Sequence, residues 1–178
     1  MVTLRKLSQD HPDFRLVMKL YNAAFPLQER MDIAALIELN PATLLGIYSD
    51  RKAKLFAGFF VVIEDDLMAY LLYFTTRPEL YSSGIDGQAL QALTEMFHDR
   101  LILLTYSACS SGNDAPVREL QRTLYLQNGF HECPWYVLYE NSKYGLACSE
   151  ESVDTVLLQH LLHKLQFFKS NFYTHSHT

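Results

Sequence analysis

With 178 residues, 49% of them hydrophobic and 20% charged, the chain has the length and composition of one soluble globular domain with a real core, or of one domain with an extension. Its 15 Lys and Arg against 20 Asp and Glu leave a net charge of −5 and no basic patch, which argues against nucleic acid as a partner and mildly favours cationic ones such as amines. No apolar run approaches ~18 residues, so no membrane span is expected.

The chain opens with a strand candidate, Thr3–Leu7. Asp10 then offers a helix cap with Pro12 in the first turn, and Phe14, Val17, Met18, Tyr21 and Phe25 follow at helical spacing before Pro26 stops them. Asp32 can cap a second, short helix whose stripe is Ile33, Leu36 and Ile37. Three strand candidates come next: Thr43–Tyr48, Lys54–Ile63 and Leu67–Thr75. The short polar connections "SDRKA" and "EDD" between them imply antiparallel hairpins. The third run is apolar on both faces and reads as a central, doubly covered strand. Ile85, Ala89, Leu90, Leu93 and Phe97 mark a helix face, and Leu101–Tyr106 is another buried strand. A right-handed crossover would set Leu67–Thr75 and Leu101–Tyr106 parallel. A helix with Pro116 in its first turn carries Val117, Leu120, Leu124 and Tyr125, and ends at Gly129 in a left-handed stop. Phe130–Tyr139 and Lys143–Cys148 read as a last hairpin. Val153, Val156, Leu157, Leu161, Leu162 and Leu165 form an amphipathic helix, followed by an aromatic-rich tail. The pattern is α+β.

The 3 cysteines, Cys109, Cys133 and Cys148, show no CxxC spacing, and no leader-like segment precedes the first strand. They are read as reduced thiols, small core or surface residues of a cytoplasmic protein. His160 and His163 lie three apart on the last helix, with His175 and His177 beyond. No Cys or carboxylate joins them in a zinc-like pattern, so a solvated helix face is expected and no metal.

The stretch most open to a functional reading is "LYSSGIDGQAL", Leu80 to Leu90, between a strand and a helix. First-turn amides of a helix lack partners within it and carry the positive end of its dipole. Gly84 and Gly87 allow close approach of a ligand, and Ser82 and Ser83 add hydroxyls. Such a turn can hold a pyrophosphate without basic side chains, and it can equally be only a turn.

Taken with the downstream "YLQNGF", Tyr125 to Phe130, this loop and the element order resemble the GNAT superfamily of acyl-CoA-dependent N-acetyltransferases. Those proteins follow a bulged strand with the turn [RQ]-x-x-G-x-[GA] and a helix, and later carry a Tyr four residues before a Gly-Phe pair. Phe74 to Gly84 matches the strand exit and loop, and "AFPLQER", Ala24 to Arg30, looks like the loop between the first two helices of small bacterial members. The resemblance covers residues 1–148, with 149–178 as a C-terminal helical extension on the same domain. It implies a mixed, mostly antiparallel sheet with helices on both faces. It also implies acetyl-CoA as co-substrate, its pantetheine arm between the splayed strands Leu67–Thr75 and Leu101–Tyr106, paired with backbone near Phe74 and Thr76. The pyrophosphate would lie on the amides of Ser82, Ser83, Gly84, Ile85, Asp86 and Gly87. Tyr125 would be the general acid for the leaving thiolate, while bulge amides polarise the carbonyl under direct attack by an amine.

Two positions depart from the family pattern. Tyr81 replaces the basic or amide residue, and Asp86 replaces the last small residue, where a carboxylate near a pyrophosphate costs on the order of 1 kcal/mol at ~4 Å. Asp86 could turn away to cap the helix, Arg118 or Arg122 could neutralise it, or acyl-CoA binding could be weak. The strand position of the family's general base is Tyr70, not a carboxylate. Glu29, in the loop that would wall the acceptor site, is the candidate base or amine-binding group, with an ion pair to Arg30 as the plain alternative. The acceptor would be a small amine or a peptide amine. The competing reading is a catalytically silent GNAT-fold module that binds CoA or a protein partner. The last helix either packs on the sheet or makes a homodimer contact.

Overall fold

The computed structural model describes residues 2–38, 42–49, 55–107, 115–139, 142–168 and 173–176. Two compact units divide the chain, Met1–Arg100 and Leu101–Thr178.

In the first unit, β1 (Val2–Lys6) leads into α1 (Phe14–Ala24), a single 3-10 turn (Leu27–Glu29) and α2 (Ile33–Glu38). The strands β2 (Thr43–Ser49), β3 (Leu55–Glu64) and β4 (Met68–Thr76) follow, then a 3-10 segment (Pro78–Ser83) and α3 (Ile85–Met96). The strands pair in chain order, each antiparallel to the next, with Leu4 opposite Ile47, Leu45 opposite Phe60 and Phe60 opposite Phe74. Every residue of β3 from Phe56 to Ile63 is buried apart from its ends, and β4 is nearly as covered. An uninterrupted apolar run is what a strand covered on both faces requires. Val17, Tyr21, Ile33, Leu44, Phe59, Leu90 and Leu93 fill the core.

Helix starts test the capping reading. Asp32 Oδ1 accepts the Ala35 amide at 3.1 Å, the expected cap of α2. The expectation for α1 fails. Asp13, not Asp10, holds the N-cap position, and Pro12 falls in the preceding turn. The Asp13 carboxylate does not cap the helix, because the Tyr48 hydroxyl from β2 donates to it at 2.6 Å.

The second unit comprises β5 (Leu101–Ser107), α4 (Ala115–Gln127), β6 (His131–Tyr139), β7 (Ser142–Cys148), α5 (Thr155–Phe168) and β8 (Tyr173–Ser176). Its strands run β5-β7-β6-β8, all antiparallel. The hairpin and both helices follow the sequence pattern in position, but Leu120 and Val156, expected on the apolar faces, are 69% and 66% exposed. β8 is not announced by that pattern: the aromatic-rich tail adds a strand to β6, with Leu138 opposite Tyr173 and Trp135 opposite Ser176. The segment Tyr173–Ser176 carries no apolar–polar alternation that would announce a strand. Ser149, where an extension is expected to begin, is bonded into the sheet. Its amide donates to Ile102 O at 2.9 Å, and its hydroxyl accepts the Ile102 amide at 3.0 Å.

The class is therefore α+β with mostly antiparallel pairing and a C-terminal helix, as the sequence predicts.

Candidate functional site

The Leu80–Leu90 stretch is more ordered than a glycine loop. Arg77 at the exit of β4 donates its amide to Ala57 O at 2.7 Å, and Leu80 N then closes a turn onto Arg77 O at 2.8 Å. The Ser83 hydroxyl donates to Leu80 O at 2.6 Å. Gly84 takes φ +71, a left-handed conformation that lets a 3-10 segment pass directly into α3, and no side chain caps that helix. The first-turn amides of Ile85, Asp86 and Gly87 have no acceptor within the helix itself. Tyr81, in the place of a basic residue, stands in solvent at 54% exposure. The Ser82 side chain lies outside the described ones.

Asp86 neither points into solvent nor caps α3. Its carboxylate accepts a hydrogen bond from the Thr76 hydroxyl at the end of β4, so two of the expected ligand-binding residues meet. Burial pushes the Asp86 carboxyl above its ordinary range, and the Thr76 bond offsets part of the rise. Arg122 is committed elsewhere, to Glu132 at 2.6 Å and Glu119 at 3.1 Å. The Arg118 side chain lies outside the described ones. Phe74 stacks on Phe60 with centroids 4.6 Å apart, and Tyr70 is buried in β4 opposite Ile63.

The segment after α1 is pinned from two directions. Tyr21 on α1 donates its hydroxyl to Met31 O at 3.1 Å and accepts the Met31 amide at 2.8 Å. Tyr73 on β4 donates to Glu29 O at 2.7 Å and accepts the same amide at 3.1 Å. Tyr73 meets the Tyr21 and Phe25 rings edge-to-face at 4.9 Å, and Tyr21 and Phe25 meet tilted at 5.3 Å. Burial raises the pKa of both phenols, so both remain neutral donors. Arg30 turns its guanidinium to Phe25 O and Asn22, not to Glu29. The half-buried Glu29 side chain therefore sits on a fixed main chain. Neither tyrosine is singled out by the sequence. Tyr73 shares an apolar run with Tyr70, and only the partner 42–44 residues away separates their roles.

In the second unit, Tyr125 is buried on α4, and the Gln121 side chain donates to its hydroxyl at 3.1 Å. The "YLQNGF" pattern is a helix stop. Gly129 at φ +85 ends α4, and the Asn128 and Phe130 amides both return to Tyr125 O, at 3.0 and 3.2 Å. The Phe130 ring then meets the Tyr125 ring edge-on at 6.2 Å. A second cluster was not legible beforehand. The Tyr106 hydroxyl donates to Glu132, which also accepts two bonds from Arg122 at 2.7 and 2.6 Å. Burial first, and the Glu132 bond second, push Tyr106 up to about 12.

Among the described residues, no three His, Cys, Asp or Glu side chains gather as metal ligands. Cys109 and His177, and the His175 side chain, lie outside the description. No described helix is long and apolar enough to cross a membrane.

No protein-family model and no curated protein sequence matches the chain. Solved structures do. A GNAT-family chain from Bacteroides thetaiotaomicron superposes with a TM-score of 0.74 at 19% identity, over 92% of this chain and 96% of its own. The spermidine N-acetyltransferase of Vibrio cholerae, solved with CoA and spermine, gives 0.57 at 18% identity over 83% and 94%. The ribosomal-protein-S18-alanine N-acetyltransferase of Escherichia coli gives 0.58 at 16% identity over 86% and 96%.

Proposed function

The chain has the GNAT fold, and on that premise we propose that it is an N-acetyltransferase moving an acetyl group from acetyl-CoA to a primary amine. The observation that carries this reading is the likeness along nearly the whole chain to N-acetyltransferases, one of them solved with CoA. The two with named acceptors act on amines of different size, a polyamine and a protein alanine. The proposed acceptor class is accordingly a small or peptide amine.

The residues fit acetyl-CoA through backbone groups. Pantetheine pairs with main chain near Phe74 and Thr76, and pyrophosphate lies on the amides of Ser82 through Gly87 at the start of α3. The neutral amine attacks the acetyl carbonyl, the C–S bond breaks, and the Tyr125 hydroxyl gives its proton to the departing sulfur. The attacking nitrogen loses its proton to water or to Glu29.

The second reading, a silent GNAT-fold module, is favoured by one observation: the half-buried Asp86 carboxylate in the first turn of α3. Thiol release from acetyl-CoA, measured with a panel of polyamines and N-terminal peptides, separates the two. Under the proposal, at least one amine is turned over, and Tyr125→Phe lowers kcat by about 10²-fold with unchanged acetyl-CoA affinity. Turnover that Tyr125→Phe leaves intact removes the assigned acid. No turnover, with acetyl-CoA bound, supports the silent module.

A further inference from the structure

Cys133 and Cys148 lie on neighbouring antiparallel strands, buried, with their sulfurs 3.2 Å apart. A bulge in β6 adjoins them. The β6–β7 register pairs Glu132 with Ala147 and resumes only at Tyr136 with Gly145, so Cys133, Pro134 and Trp135 face Leu146 alone. Cys133 lies diagonally from Cys148, whose own partner is His131, two residues before it. Both thiols are free.

We propose that this pair is an oxidation site, at which hydrogen peroxide converts the two thiols to a disulfide joining β6 to β7. The geometry needs little motion, since an S–S bond of about 2.05 Å asks the sulfurs to close by about 1.2 Å. The pair is also chemically unequal. The Cys133 thiol donates its hydrogen bond to the Cys148 sulfur, which lowers the Cys148 pKa and raises that of Cys133. Cys148, whose own thiol donates to Glu150 O at 2.9 Å, gives up that proton and is the attacking sulfur. Its thiolate takes one oxygen from the peroxide, the O–O bond breaks, and hydroxide leaves to be protonated to water. The Cys133 sulfur then attacks the sulfenic acid and expels the second oxygen, which leaves as water with the Cys133 proton. Two thiols and one peroxide give one disulfide and two waters. The oxidation chemistry does not require acetyl transfer.

The test is intact-mass and peptide mapping of the full chain after hydrogen peroxide treatment, with dithiothreitol reversal and Cys148→Ala as control. Expected are a loss of about 2 Da, a peptide linking Cys133 to Cys148, and restoration by dithiothreitol. In Cys148→Ala the Cys133 thiol should stay unoxidised under the same treatment. The crosslink should raise Tm, because it closes a 15-residue separation in the unfolded chain. Three results would each overturn the proposal in the wild-type chain, whatever the variant does: gain of oxygen on one cysteine without a link, a link through Cys109, or all thiols surviving excess peroxide.

Discussion

Asp86 is the residue whose physics most constrains the proposed site. It sits in the first turn of α3, where the helix dipole favours a negative charge, yet that is also the charge a bound pyrophosphate would bring. The Thr76 hydroxyl anchors it, so Asp86→Asn keeps an oxygen acceptor and removes only the charge. At about 4 Å, one like charge at a wet surface is worth on the order of 1 kcal/mol, so the Asn variant should bind acetyl-CoA about fivefold more tightly by calorimetry. Unchanged or weaker binding would place the phosphates elsewhere. The same residue has a pH signature. Burial holds its folded-state pKa above the ordinary 3.8, so between those values the folded protein keeps a proton that the unfolded chain releases. The stabilising contribution is whole below the ordinary value and is lost as pH rises through the raised one. The Tm advantage of Asp86→Asn over wild type should grow from about pH 4 toward neutrality. A constant difference would mean that the carboxyl is not desolvated.

At the scale of elements, the segment between α1 and α2 shows how a short connection is fixed with no more than a single 3-10 turn of its own. One amide, Met31 N–H, is shared by two phenols, one from α1 and one from β4. In Tyr73→Phe the amide keeps Tyr21 while its bond to Tyr73 and the bond to Glu29 O are lost; in Tyr21→Phe it keeps Tyr73 while its bond to Tyr21 and the bond to Met31 O are lost. Each single change should cost about 1 kcal/mol in urea unfolding. The double variant leaves Met31 N–H with neither phenol, and its cost should exceed the sum by at least ~0.5 kcal/mol. Strict additivity would show that the amide is not shared. Legibility divides along the same line. The end of α4 could be read from "YLQNGF", because a left-handed glycine and its returning amides are local events. The Asp32 cap was legible for the same reason. The Asp13–Tyr48 bond, which pre-empts the cap of α1, spans 35 residues, and no local pattern carries it.

On the scale of the molecule, the element order was readable because helical stripes and strand runs alternate with clear turn residues. The Gly84 turn was recognisable as a strand-to-helix passage. What it holds was not, because whether Asp86 faces ligand, solvent or Thr76 depends on where β4 ends. A binding measurement on the intact chain addresses that point, since any ligand that prefers the folded state raises the free energy of unfolding whichever residues touch it. At 100 times its dissociation constant that rise is about 2.7 kcal/mol. For a chain of this length each kcal/mol moves Tm by roughly 2–4 °C, so millimolar acetyl-CoA should raise Tm by about 5–10 °C if it binds in the ten-micromolar range. Dephospho-CoA retains the pyrophosphate and lacks only the 3′-phosphate. If backbone amides at the start of α3 supply most of the phosphate binding, it should retain most of the shift. Loss of the shift with dephospho-CoA alone would point to a basic side chain on the 3′-phosphate. No shift with either ligand would remove acyl-CoA from the account and leave the fold as a platform for a protein partner.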